Sequence, residues 1–220
     1  ITAFFVSMRY FAWRQQETIT YYDLLSFICM LILFMAEIYG IIISFLGSFV
    51  NIQGRKREHI PLPDDPDKIP TVDIFVPSYN EPQEMLEITL LAALQINYPQ
   101  DKLNVCLLDD GGTLGRRNSD DPERARSSQE RHDTLKAMCE RIGATYLTRE
   151  KNNHAKAGNV NAALEKTTGE HVLILDADHV PTQDILERMV GIMVDDPKMF
   201  LVQSPHFFIN PDPIEKNLQT

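Results

Sequence analysis

His171-Val-Leu-Ile-Leu-Asp-Ala-Asp178 is a run of apolar residues with no polar alternation until two acids close it. A strand that is apolar on both faces belongs in the middle of a parallel sheet covered by helices. The helical pattern Gln183 to Val194 follows it, and the same alternation runs backwards through the chain. Thr71 to Ser78, Asn104 to Asp110 and Ala144 to Arg149 read as strands, and Met199 to Pro205 as a further β-type run. Pro82 to Ile96, Glu123 to Ile142 and Asn159 to Lys166 read as the helices between them. Repeated βα units of this kind imply an α/β domain.

In open α/β sheets ligands bind at the carboxyl ends of the strands, so the residues just after each strand carry the functional reading. Four such ends are polar: Ser78-Tyr-Asn-Glu81, Asp109-Asp-Gly-Gly112, His154-Ala-Lys-Ala-Gly-Asn159 and Asp176-Ala-Asp-His179. In extended geometry Asp176 and Asp178 share a face and both reach one hard cation, Mg²⁺ or Mn²⁺, which keeps open positions for diphosphate oxygens. Solvated or helix-capping acids are the plainer alternative. Asp109 and its glycine turn suit the imide N–H of a uracil, or else form a tight turn with solvated acids. Tyr79 can stack on a base and Glu81 can accept a base or ribose hydrogen bond, while Asn80 caps the next helix, with Pro82 in its first turn. Lys156, in a Gly/Asn-rich loop entering a helix, can face a diphosphate or be an ordinary surface lysine. His154, His179 and His206 lack the helical His-Glu or paired-His spacing of a zinc site and read as pocket hydrogen-bonders.

Ahead of this domain, Leu24 to Val50 has no Lys or Arg and one acid, Glu37. As a helix it would be about 40 Å long, enough to span a bilayer with tilt. The chain opens at Ile1 inside another apolar run, and Tyr10, Trp13, Arg14, Tyr21 and Tyr22 lie between the two. These interfacial side chains suggest a helical hairpin over residues 1–52 with a truncated first span. Glu37 at mid-depth needs a partner or a wet crevice. Arg55-Lys-Arg57 just past the span places residues 53–70 and everything downstream in the cytoplasm. Ile60 to Pro70, with four prolines among acids, reads as a linker, so the soluble domain occupies 71–220.

A net charge of −10 argues against a nucleic-acid partner. Cys29, Cys106 and Cys139 sit in separate segments and suggest neither a thiolate metal cluster nor a disulfide framework. A metal-dependent nucleotidyl or phosphoryl transferase would want a Gly-Lys-Ser/Thr phosphate clamp, which the sequence lacks.

With PSYNEP, DDGG, HAKAGN, DADHVP and SPHFFINPDPIEKNL in this order, the chain resembles the processive family 2 glycosyltransferases, and among them the catalytic subunits of bacterial cellulose synthases. That resemblance implies a GT-A fold, with a mixed, mostly parallel sheet sandwiched by helices and preceded by transmembrane helices. It implies UDP-glucose as donor, uracil contacts from Tyr79, Glu81 and Asp109, diphosphate contact from Lys156, and Mg²⁺ or Mn²⁺ on Asp176 and Asp178. Asp109, Asp176 and Asp178 are its essential carboxylates, and His179 and His206 lie toward the acceptor. The implied reaction is inverting transfer of glucose to the 4-hydroxyl of a growing glucan, in a multi-pass protein of the bacterial inner membrane with a periplasmic or membrane accessory subunit. The Thr-Glu-Asp base and the Gln-x-x-Arg-Trp acceptor motif of that family do not occur before Thr220, so this piece is not expected to turn over alone. Synthases of curdlan, mixed-linkage glucan, chitin or hyaluronan, and a non-catalytic UDP-sugar-binding membrane subunit, share these features.

Overall fold

The computed structural model describes residues 2–52, 58–207 and 216–217. The basic cluster 55–57 and most of the stretch after His206 lie outside the described residues. The chain divides into two units, Ile1–Glu58 and His59–Thr220.

The first unit is a pair of helices, α1 (Thr2–Glu17) and α2 (Leu24–Asn51). Asp23 starts α2 by accepting the Ser26 N–H at 2.9 Å, satisfying one of the free amides of the first turn. Phe4 packs on Phe45 with ring centroids 4.9 Å apart, and Phe11 stacks on Phe34 at 5.5 Å. Arg14 Nε donates to Glu37 Oε2 at 2.9 Å. From Phe4 to Phe11 the chain advances along α1 while the stacked partner recedes from Phe45 to Phe34 along α2, which makes the pair an antiparallel hairpin, and Arg14 gives Glu37 the partner its position demands. Among the described residues α2 alone is long and apolar enough to cross a membrane, with a mean hydropathy of 2.3 over its best window.

The second unit is built on β1 (Val72–Ser78), α3 (Gln83–Leu94), β2 (Leu103–Asp109), α4 (Leu114–Arg117), α5 (Pro122–Ile142), β3 (Thr145–Leu147), α6 (Ala155–Leu164), β4 (His171–Ile174) and α7 (Ile185–Asp195). The four strands lie in the order β3-β2-β1-β4, every pairing parallel. No antiparallel strand of a mixed sheet occurs among the described residues. Val72, Ile74 and Val76 of β1 join Leu86, Leu90, Leu135, Met138 and Val190 in a core that holds α3, α5 and α7 on one face. Phe75, between them in sequence, packs with Cys106, Leu108 and Ala163 on the other face, against α6. This is the two-residue period of a strand buried on both sides.

Two expectations are corrected. β4 stops at Ile174, before the acids, because its ladder on β1 ends at the Phe75–Ile174 pair. Met199 to Pro205 form no strand; no described strand pairs with them, and Phe200 and Leu201 are exposed. Within the linker stretch from Ile60 to Pro70, Leu62 and Ile69 pack on the core, and the Tyr98 hydroxyl donates to the Pro70 carbonyl at 2.6 Å. The stretch's one helical turn is the 3-10 turn Pro66–Lys68, with Pro66 at its start, and the prolines do not prevent packing.

Candidate functional site

The carboxyl ends of β1, β2 and β4 and the amino end of α6 enclose a cavity of about 610 Å³. Tyr79, Glu81, Asp110, Lys156, Asp176 and Asp178 are among the residues that line it.

Asp109, expected at a ligand, is not among them. Its side chain is fully buried and accepts from Arg131 Nε at 2.9 Å, the Gly111 N–H at 3.0 Å and the Tyr146 hydroxyl at 2.9 Å. Burial, reinforced by that carboxylate, pushes the Tyr146 phenol far above its usual range. Arg131 also donates to Ser78 Oγ at 2.7 Å and the Glu81 carbonyl at 2.8 Å, so one guanidinium from α5 fastens the ends of β1 and β2 together. Gly111 is needed here for close approach, since a Cβ would lie 2.2 Å from the Tyr79 carbonyl oxygen. The carboxylate that reaches the cavity is Asp110, whose N–H donates to the Ser78 carbonyl at 2.8 Å and whose two oxygens are held by Arg149.

Glu81 is turned onto its own loop, accepting from the N–H groups of Tyr79 and Asn80 at 2.6 and 3.0 Å and from Ser78 Oγ at 3.0 Å. Desolvation pushes its carboxyl upward, yet the hydrogen bonds outweigh this and hold it below the usual carboxylate range. Asn80 does not cap α3; Pro82 occupies that position without a side-chain bond. Tyr79 is exposed at the cavity. Its ring lies 4.8 Å beneath the Arg116 guanidinium, which also donates to its hydroxyl.

Asp176 to His179 form a turn, not extended chain, closed by the His179 N–H on the Asp176 carbonyl at 2.9 Å. The buried Thr89 hydroxyl of α3 donates to the Ala177 carbonyl at 2.7 Å and pins the middle of that turn. Lys156 donates to Asp176, and this bond holds the Asp176 carboxyl below its usual range against desolvation. Asp178 is 69% exposed, and the His179 ring stands 3.8 Å from both acids. His179 meets His206 edge to face, with centroids 4.4 Å apart, so the two residues expected toward the acceptor share one side of the acids.

No group of three or more His, Cys, Asp and Glu side chains is arranged to hold a metal among the described residues. The Lys156 ammonium on Asp176 nevertheless stands in for positive charge beside the pair, and Asp178 presents a free carboxylate next to it. Two hard oxygen donors with the remaining positions open fit a cation that completes its shell from phosphate and water.

Four residues went unnoticed in the sequence: Arg116, Arg131, Arg149 and Thr89. Each carries no local motif and acquires its role through a partner distant in the chain.

Residues 120–220 match the family described as Glycosyl transferase family 2. The chain is 41% identical over 213 residues to a cellulose synthase 1 catalytic subunit (UDP-forming) of Komagataeibacter xylinus, covering 97% of this chain and 26% of that protein. It is also 41% identical over 215 residues to a cellulose synthase catalytic subunit (UDP-forming) of Xanthomonas axonopodis pv. citri, covering 98% and 27%. Among solved structures it is similar to a mannosyltransferase from Pyrobaculum calidifontis in complex with GDP-Man and Mn²⁺, at a TM-score of 0.42 and 33% identity, over 64% of this chain and 37% of that one. The chain is thus similar to family 2 glycosyltransferases over residues 120–220, and along nearly its whole length to the catalytic subunits of bacterial cellulose synthases. It spans about a quarter of the length of the curated relatives it matches.

Proposed function

We propose that this chain supplies the donor-binding part of an inverting, processive glycosyltransferase that moves glucose from UDP-glucose to the 4-hydroxyl of a growing β-1,4-glucan. The observation that carries the proposal is the cavity itself. It gathers an exposed aromatic ring, a buried-edge carboxylate, a lysine and a pair of acids at the carboxyl ends of a parallel sheet. The identity to UDP-forming cellulose synthase subunits along nearly the whole chain supports the sugar and the linkage.

In this reading the uracil stacks on Tyr79, and Asp110 accepts its imide N–H. Asp109 and Glu81 act one step back, holding the two loops that present those groups. Lys156 faces the diphosphate. Asp176 and Asp178 would hold the divalent cation, which when bound offsets the charge of the leaving diphosphate. His179 and His206 flank the acceptor side. The helix α2 crosses the bacterial inner membrane as part of a multi-pass protein, the domain faces the cytoplasm, and an accessory subunit receives the export path.

Calorimetry of UDP binding with and without Mg²⁺ tests the site. The expected result is binding that weakens when Mg²⁺ is withdrawn, and equal affinity in both conditions would remove the metal role. Linkage analysis of polymer made from radiolabelled UDP-glucose by full-length protein in membranes tests the product. A β-1,3 polymer would overturn the cellulose assignment.

A further inference from the structure

Arg149, just past β3, is outside the cavity lining and its side chain is 10% exposed. Its guanidinium is nonetheless shared between two loops that do line it. Nε and Nη2 grip the Asp110 carboxylate at 2.7 and 2.8 Å in the two-pronged geometry that only arginine provides. Nη1 donates to the Asn153 carbonyl at 2.6 Å, and Nη2 donates to the Ala155 carbonyl at 2.9 Å and to Asn152 Oδ1 at 3.0 Å. The backbone so held is strained, with His154 at φ 59° and Ala155 at φ 44°, a left-handed pair without glycine. Such a conformation persists only where its surroundings over-determine it. The first turn of α6 closes on the same point: a Cβ on Gly158 would lie 2.0 Å from the Asn153 oxygen and 2.7 Å from Arg149 Nη1. Lys156 follows Ala155 directly, so its ammonium inherits its place from this knot.

We propose that Arg149 is a positioning residue that sets the spacing between the Asp110 end and the Lys156 end of the site, and so matches it to a nucleoside diphosphate. The proposal rests on the donor-site reading above. Lysine at this position keeps a charge for Asp110 but cannot also reach two carbonyls. Arg149→Lys therefore leaves the base end in place and frees the loop that carries Lys156.

The test measures UDP and uridine affinity by calorimetry on full-length protein in detergent with excess Mg²⁺, for wild type, Arg149→Lys, Lys156→Ala and the double variant. The expected result is a loss of UDP affinity of about tenfold in Arg149→Lys with uridine affinity kept within about twofold. That loss should disappear in the Lys156→Ala background, since residues acting through one another are not additive. Equal losses for UDP and uridine, no loss at all, or an undiminished loss without Lys156 would each overturn the positioning role. Wild-type protein that binds no UDP would instead overturn the donor-site reading.

Discussion

Replacing Asp109 with Asn keeps the shape of a fully buried side chain and removes its charge. In the wild type both oxygens are used, by Arg131, Tyr146 and the Gly111 amide. An amide offers one acceptor oxygen and turns an NH₂ toward groups that also donate. Breaking a buried ion pair by removing one partner costs about 3–5 kcal/mol. Arg131 is 19% exposed and keeps Ser78 and Glu81 as acceptors, which places the loss near the lower end, at about 3 kcal/mol. For a domain of this size that corresponds to a fall in melting temperature of roughly 6–12 °C. The domain carries its own reporters in Cys106 and Cys139, both buried. A thiol-reactive dye followed during a thermal ramp in detergent would read their exposure. A variant that melts within about 1 °C of wild type yet no longer binds UDP would refute the assignment of Asp109 to the scaffold and return it to the ligand.

Asp178→Ala should behave in the opposite way. Its side chain is 69% exposed and has no hydrogen-bond partner among the described residues, so the melting temperature should stay within about 1–2 °C while Mg²⁺-dependent UDP affinity falls at least about tenfold. Glu81, held below the usual range in the folded protein, contributes stability that is present above its unfolded pKa and lost as pH falls through the lower folded value. The amides of Tyr79 and Asn80 should therefore stay protected from hydrogen exchange at neutral pH and lose protection only in acid below the ordinary carboxylate range. Protection that is lost between pH 5 and 7 would contradict this, on a scale set by ordinary carboxylate pKa values of about 4. Burial pushes the thiols of Cys106 and Cys139 up to about 12, so neither should react with a maleimide at pH 7 until the domain is unfolded.

The βα order was legible because β1 and β2 are apolar on both faces and α5 has helical spacing between Asp121 and Gly143, which cap its two ends. The cavity's composition was legible too, since it follows from which residues come after each strand. What could not be read was which of two adjacent acids faces it. Asp109 and Asp110 differ only through Arg131, Tyr146 and Arg149, which arrive from α5, from within β3 and from just past it. Local spacing carries no record of such partners. The Asp176-Ala-Asp178 geometry failed for the same reason: a strand's length depends on its neighbour's register, and the turn that replaces it is fixed by Thr89.

That hydroxyl has a thermodynamic consequence. With the Ala177 carbonyl tied to the interior of α3 and the turn closed by His179, the backbone that bears both acids is already ordered before any ligand arrives. The conformational entropy of that segment is lost during folding, so a ligand held by the two carboxylates would not have to order their backbone again. Pre-ordering of this kind raises the affinity of any ligand the two carboxylates hold.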